Sequence, residues 1–330
     1  MIDVAEQQLK VPIRKSSTPN HNGYEKGIPH IGLARLCGWF GITRQAHYQY
    51  SWFCYSSDIE QKLVIEEVKR IRLLHRRMGT RKLYEMLQSF MIDNQIKMGR
   101  DALFDLLAVH GLLVRKKRRT TITTNSKHWF RRYPNLVRGF TPCGINQLWV
   151  SDITYWKAKQ QFFYISFITD AYSRKIVGYS VAENMESVHC RQALKIALCG
   201  LRPQGHFKLT HHSDRGLQYC SNSYVQLLNE NNITISMTEN GDPLENALAE
   251  RINGIIKDEY LQFCKPANII EAKAILKRTV KLYNQQRPHM SIGNLTPEQI
   301  HCNINLKTEK LWKNYYHSKP NFEHPKNYSK

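Results

Sequence analysis

Asp152, Asp214 and Glu250 are the acidic side chains whose surroundings suit chemistry. Asp152 lies in Gln147-Leu-Trp-Val-Ser-Asp-Ile-Thr-Tyr-Trp156, a run rich in aromatic and β-branched residues that reads as a strand. A carboxylate among Trp149, Val150, Ile153 and Tyr155 is costly unless something compensates its charge. Asp214 closes a shorter strand in His211-His212-Ser213-Asp214-Arg215-Gly216, and Glu250 falls in a long helix expected over Asp242–Leu261. Hard divalent cations take oxygen ligands, so convergent carboxylates imply Mg²⁺ or Mn²⁺. Two such ions stabilise both the attacking and the leaving oxygen of an in-line phosphoryl substitution, and three acidic groups are a plausible minimum to hold them.

The helix must present Glu250. Asp242 suits an N-cap, Pro243 the first helical position, and Glu245 stands three residues after the cap. Leu244, Leu248, Ile252, Ile255 and Ile256 form its buried stripe, whereas Asn246, Glu250, Asn253 and Lys257 line a polar one at steps of four, three and four. Taken alone, that polar stripe reads as an ordinary solvated face rather than a site.

The wider pattern predicts an α/β fold: a ribonuclease-H-like mixed sheet flanked by helices, preceded by all-α helix-turn-helix modules. Strands are expected at Gln147–Trp156, Phe162–Thr169 and Lys175–Ala182, the first three hairpin-like, then at Phe207–His211 and Ile233–Met237. Helices Glu186–Leu198 and Asn222–Glu230 fall between them. Upstream, a helix over Leu33–Phe40 breaks at Gly41, and Thr43 caps a second beginning at Arg44. Further helices are expected at Asp58–Leu74, Thr80–Phe90 and Arg100–His110, the last closed by Gly111. The domain division is a flexible N-terminus (1–30), a helix-turn-helix DNA-binding region (31–112), a basic linker (113–144), a catalytic core (145–265), a helical C-terminal extension (266–303) and a basic tail (304–330).

Charge points to the partner. The chain carries 48 Lys plus Arg against 27 Asp plus Glu, a net +21. Residues 1–140 hold 25 basic and 11 acidic side chains, and Arg115-Lys116-Lys117-Arg118-Arg119 run consecutively. A charge run alone is commonly a solvated loop, but an imbalance this large favours a polyanion, because neutralised phosphates release counterions. The longest apolar run of note, Phe162–Ile168, is too short to span a bilayer, and Met1–Lys10 has no signal-peptide core. The eight cysteines form no CxxC pair, which argues against a zinc site and suits a reducing bacterial cytoplasm.

Thirty-five residues separate Asp214 from Glu250. That spacing, with Trp149-Val-Ser-Asp152-Ile-Thr-Tyr155, His212-Ser-Asp214-Arg-Gly216-Leu-Gln218-Tyr219, Asn246-Ala247 and Glu250, resembles the D, D-35-E triad of retroviral integrases and bacterial transposases. Tyr283-Asn-Gln-Gln-Arg287-Pro-His289 and Thr296-Pro297 extend the likeness downstream, and Arg77-Met-Gly79-Thr-Arg81 extends it upstream. Over about residues 31–303 the chain resembles OrfB-type insertion-sequence transposases with a retroviral-integrase-like core. It departs from the pattern at Glu245, where Asp is frequent, and at Arg251, where a small Ser is frequent.

The resemblance implies a DNA transposase that cleaves and joins strands at element ends through two Mg²⁺ (or Mn²⁺) ions on Asp152, Asp214 and Glu250. It implies a copy-out, paste-in route, terminal inverted repeats and target DNA as partners, a homo-oligomer in the synapse, and an upstream OrfA product or frameshift fusion. Lys257 takes the place of a basic DNA contact. Asn253, Arg44, Arg81 and the run Arg115, Lys116, Lys117, Arg118, Arg119 complete the expected DNA-binding set. His189, His211 and His301, like Trp149 and Trp156, read as packing residues, and Asp170 either caps a turn or stands near the site. Two rivals remain: a nuclease that cuts without joining, and a DNA-binding regulator with an inactive core.

Overall fold

The structure, a computed structural model, describes residues 32–114, 133–158, 161–201, 208–239 and 245–303, with the backbone alone at 53–56. The expected N-terminus 1–30, Arg115–Arg119, the helix cap at Asp242–Leu244 and the tail 304–330 lie outside the described residues. The chain divides into two compact units, Met1–Glu67 and Val68–Lys330.

In the first unit, helix α1 (Leu33–Trp39) buries Leu36 and Cys37 but leaves Phe40 exposed. Gly41 turns the chain at φ +67°, a conformation that a side chain would strain. Thr43 Oγ1 then accepts the Ala46 N–H at 3.0 Å, capping α2 as its sequence suggested. Helix α2 is one continuous element, Arg44–Leu74, rather than two helices parted before Asp58. It contains no Gly or Pro, and the polar Ser56-Ser57-Asp58 stretch does not break it.

In the second unit, helices α3 (Thr80–Asp93) and α4 (Arg100–Val109) bury Leu83, Leu87, Leu103 and Leu107. Polar contacts tie this helical part to the core. His75 stands 2.9 Å from the Tyr260 hydroxyl and 3.2 Å from Gln286 Oε1, and Lys82 Nζ is 3.4 Å from Glu259. Glu259 in turn takes both arms of the buried Arg287 at 2.7 Å each.

The sheet comprises β1 (Leu148–Lys157), β2 (Phe162–Asp170), β3 (Ile176–Ala182), β4 (Thr210–Ser213) and β5 (Thr234–Met237), ordered β3-β2-β1-β4-β5. The first three are antiparallel; β1, β4 and β5 are parallel. This is the mixed, helix-flanked sheet of the ribonuclease-H-like class.

Helices α5 (Ser187–Cys199), the short α6 (Leu217–Cys220) and α7 (Asn222–Glu230) cover one face, burying Cys190, Leu194, Tyr224 and Leu228 with Trp149 and Ile168. α5 packs so closely that a Cβ on Gly178 of β3 would sit 2.2 Å from the Ala193 carbonyl oxygen. The other face carries α8 (Ala247–Glu259) and α9 (Ile269–Gln286), with Ile252, Ile256, Leu276 and Tyr283 packed on Trp156, Phe163 and Ile165. Helix α10 (Pro297–Cys302) follows, started by a capping box at Thr296. Strand alternation thus turns Leu148, Val150 and Trp156 toward the α8 side and Trp149 and Ile153 away from it. Among the described residues, no helix is long and apolar enough to cross a membrane.

Candidate active site

Alternation puts Asp152 on the α8 side, in the middle of β1. Its Oδ1 accepts its neighbour's backbone N–H, from Ile153 at 2.9 Å, and its Oδ2 accepts from Asn253 Nδ2 at 2.8 Å. Asp214 follows the end of β4, where Ser213 pairs with Ser151 in parallel register. The two aspartates therefore leave adjacent strands at the same level. Asp214 Oδ1 accepts the Gly216 N–H at 3.0 Å, and a Cβ on Gly216 would stand 3.0 Å from that same oxygen. Glu250 is exposed in the first turn of α8, an end where a negative charge is favoured by the helix dipole.

Electrostatics link the three. Burial pushes the Asp152 carboxyl up to about 7, the Asp214 charge adds to this, and the Glu250 charge pushes the same way. The Asn253 amide and the Ile153 N–H oppose the shift. Among the described residues, no three His, Cys, Asp or Glu side chains are gathered closely enough to hold a metal ion between them. The donor chemistry nevertheless fits a hard cation. The mutual repulsion of these carboxylates is what a divalent ion relieves, and carboxylate oxygens are the donors such an ion takes.

The polar stripe of α8 is not a solvated face. Asn246 and Asn253 are both buried, at four residues before and three after Glu250. Asn246 Nδ2 donates to the Ser151 carbonyl at 3.0 Å, as Asn253 does to Asp152. These two amides dock the helix on β1, and Asn253, expected to contact DNA, is 5% exposed and donates to the Asp152 carboxylate. Helix α8 begins at Ala247 after Asn246, later than the expected Asp242, and the Glu245 carboxylate accepts the Glu239 N–H at 2.6 Å. Lys257 is half-buried with Nζ 3.9 Å from the centre of the Tyr155 ring. Burial pulls its pKa down, while Asp258 and Asp152 pull it back up.

One contributor escaped the sequence reading. His212 Nε2 donates to the Glu245 carbonyl at 3.0 Å, so its Nδ1 accepts the Ser236 hydroxyl at 2.9 Å. Ser236 Oγ accepts the Leu136 N–H at 2.9 Å. This chain of contacts fixes the approach to α8 against β4 and β5. Burial holds the His212 imidazole neutral, its pKa lowered to about 4. The signal was present: adjacent histidines on a short strand face opposite sides, so one of them had to face α8.

The other residues divide cleanly. His211 faces α7, 2.7 Å from Ser151 Oγ and 3.0 Å from the Tyr224 hydroxyl, with its pKa lowered to about 3 by burial. It is a packing residue, as are Trp149 and Trp156. His189 pairs with Asn184 at 2.7 Å, and His301 with Ser173 at 3.0 Å. Asp170 is wholly buried and caps a turn, accepting from Ser173 N, Ser173 Oγ and Asn146 N at 2.7 Å each. Arg81, in the first turn of α3, and Arg44, at the start of α2, are exposed and stand on elements apart from the carboxylates.

Residues 144–243 match a family model described as the integrase core domain, and residues 231–297 match a second of the same description. The chain is 34% identical over 267 residues to the insertion element IS600 uncharacterized 31 kDa protein of Shigella sonnei, covering 79% of this chain and 96% of that protein. It is 35% identical over 228 residues to the transposase for insertion sequence element IS629 of Shigella sonnei, covering 68% of this chain and 74% of the relative. Among solved structures it is similar to the HTLV-2 integrase catalytic core domain in complex with magnesium, at 24% identity and a TM-score of 0.39, over 49% of this chain and 99% of that one. With one relative matched over nearly its whole length and the integrase core recognised across the three carboxylates, the chain belongs to the IS3-family, OrfB-type insertion-sequence transposases, DDE-type polynucleotidyl transferases built on an integrase core.

Proposed function

We propose that this chain cleaves and joins DNA strands at the ends of an insertion sequence, with Asp152, Asp214 and Glu250 holding two Mg²⁺ (or Mn²⁺) ions. The observation that carries this is the convergence of β1, β4 and α8 on one place, where the charges of Asp214 and Glu250 both act on Asp152. Bound there, the ions would supply Lewis-acid stabilisation to the attacking and leaving oxygens. The chain's own part is positioning. Ile153 N–H and Asn253 orient the two oxygens of Asp152, Gly216 N–H orients Asp214, and Asn246 with His212 holds the start of the Glu250 helix. Lys257, Arg81 and Arg115–Arg119 are the proposed phosphate contacts, supported by the +21 net charge. The further partners are target DNA, other copies of the chain in a synapse, and an upstream OrfA product.

The test is strand transfer on a duplex carrying the element's terminal repeat. Asp152→Asn, Asp214→Asn and Glu250→Gln should each lower the rate by about a thousandfold or more while DNA affinity persists, because phosphate contacts carry affinity. Mg²⁺ or Mn²⁺ should support joining, and EDTA should stop it. Cleavage without joined product would favour the nuclease reading, and near-wild-type joining by Glu250→Gln would overturn the carboxylate assignment.

A further inference from the structure

Among the described residues, helix α2 carries a row of exposed apolar side chains on one side. Tyr48, Trp52, Ile59 and Leu63 are 55%, 73%, 42% and 37% exposed, and they fall within about 60° of one another around the helix axis. Arg44, Gln45, Tyr48, Gln49 and Trp52 line a shallow hollow at its N-terminal end. Large apolar side chains exposed along one side of a helix in this way mark an interaction surface. It does not suit DNA, whose grooves and phosphates call for donors and cations rather than a row of aromatic and aliphatic side chains.

The spacing identifies the occupant. The steps along the stripe are four, seven and four, the same read from either end. Two copies of α2 laid antiparallel about their midpoint therefore set Tyr48 against Leu63 of the second copy and Trp52 against Ile59 of the second copy, twice over. The same register sets Arg44 level with the acidic pair Glu66-Glu67 of the second copy, with Glu66 exposed. A parallel arrangement would instead oppose Arg44 to Arg44 and Glu66 to Glu66. The surface is thus self-complementary in shape and charge under a twofold axis, as an isologous interface requires. The segment Arg44–Glu67 extends for about 36 Å, ample for a helix-pair seam.

We infer that α2 is a dimerisation helix, pairing antiparallel with α2 of a second copy through Tyr48, Trp52, Ile59 and Leu63, with Arg44 and Glu66 as the reciprocal ion pair. This deepens the proposal that copies of the chain assemble, and it gives Arg44 a protein contact in place of the expected DNA contact. Because the stripe lies in the first unit and the carboxylates in the second, assembly can be read without catalysis.

The experiment is the solution mass of the full chain by sedimentation across a concentration series. Wild type should pass from 38.7 kDa to twice that mass as concentration rises. Trp52→Glu, at an exposed position that the isolated fold tolerates, should weaken association by about a hundredfold or more. Arg44→Glu alone and Glu66→Arg alone should each weaken it by about tenfold, since each creates two like-charge contacts. Mixing the two single variants should restore it, because every ion pair is then rebuilt across the twofold axis. Glu250→Gln should leave the mass unchanged, so failure of the catalytic proposal does not alter this result. A wild type that stays monomeric, an association untouched by Trp52→Glu, or a mixture no stronger than its parts would each overturn the proposal. Association only after an upstream partner is added would assign the stripe to that partner instead, overturning it equally.

Discussion

The two halves of the acidic site are held by different means. Asp152 and Asp214 project from neighbouring parallel strands, and their relative position is set by backbone pairing between β1 and β4. Glu250 stands on a helix whose placement depends on side chains: Asn246 on the Ser151 carbonyl, Asn253 on Asp152, and His212 on the Glu245 carbonyl. Backbone ladders distribute their hold over many bonds, whereas a side-chain lock is lost with one substitution. The strand half is therefore the rigid reference, and the helix half is where geometry is vulnerable.

Among the residues that support the carboxylates, the largest effect should follow from releasing the helix. Asn246→Ala or His212→Ala should cut strand transfer per folded molecule by about ten- to a hundredfold and raise the Mg²⁺ needed for half-maximal rate, since small misplacement of one ligand is costly. His212→Gln, which can still donate to the Glu245 carbonyl, should regain most of the loss. Tyr224→Phe is the control on the opposite face. It removes the bond to His211 at a cost of about 1 kcal/mol in stability, yet should leave catalysis within about twofold, because the strands still fix both aspartates. Equal catalytic losses from Tyr224→Phe and Asn246→Ala would erase the distinction between the two halves.

A smaller effect is expected from pH in the metal-free protein. The Asp152 carboxyl is raised from its ordinary 3.8 to about 7, chiefly by burial and by the Asp214 charge. A raised folded-state value means that the protonated form is the one favoured by folding. Its contribution to stability is fully present below the ordinary value and is lost as pH rises through about 7. Denaturant unfolding with EDTA should show wild type losing stability relative to Asp152→Asn between about pH 4 and pH 8. Added Mg²⁺ should close the gap at the alkaline end, because it favours the ionised carboxylate. Parallel pH profiles for the two proteins would show that the strand half carries no such stored repulsion.

The same contrast explains what could be read from sequence. Asp152, Asp214 and Glu250 could be marked as candidates because spacing along the chain suffices for that, and the strands were legible because alternation is a local property. The supports of Glu250 were not. Asn253 and Asp152 are 101 residues apart, and Asn246 and Ser151 are 95 apart, so their contacts exist only once sheet register and helix placement are known. A buried Asn on a polar stripe has the sequence signature of a solvated one. The missed continuity of α2 has a different cause. Ser, Ser and Asp favour turns locally, but one short polar stretch costs too little to break a 31-residue helix that lacks Gly and Pro.

The smallest effect concerns Lys257, which touches both halves at once. It stands on α8, seven residues beyond Glu250, and its ammonium rests on the ring of Tyr155 in β1. Such a contact is worth about 0.5–1 kcal/mol at a partly exposed position, so it adds to the docking of α8 without governing it. The proposed phosphate contact beside the carboxylates would be its second use. The two uses separate by substitution. Tyr155→Leu removes the ring but keeps the cation, so it should cost a little stability and leave DNA binding intact. Lys257→Ala should cost a similar amount of stability, lower strand transfer a further few-fold, and reduce the salt slope of DNA binding by about one unit, the signature of one lost phosphate. Lys257→Arg should restore the slope. If Lys257→Ala and Tyr155→Leu instead lower strand transfer equally and leave the slope unchanged, Lys257 acts only as a third link between helix and strand, and the DNA contact beside Glu250 must come from another residue.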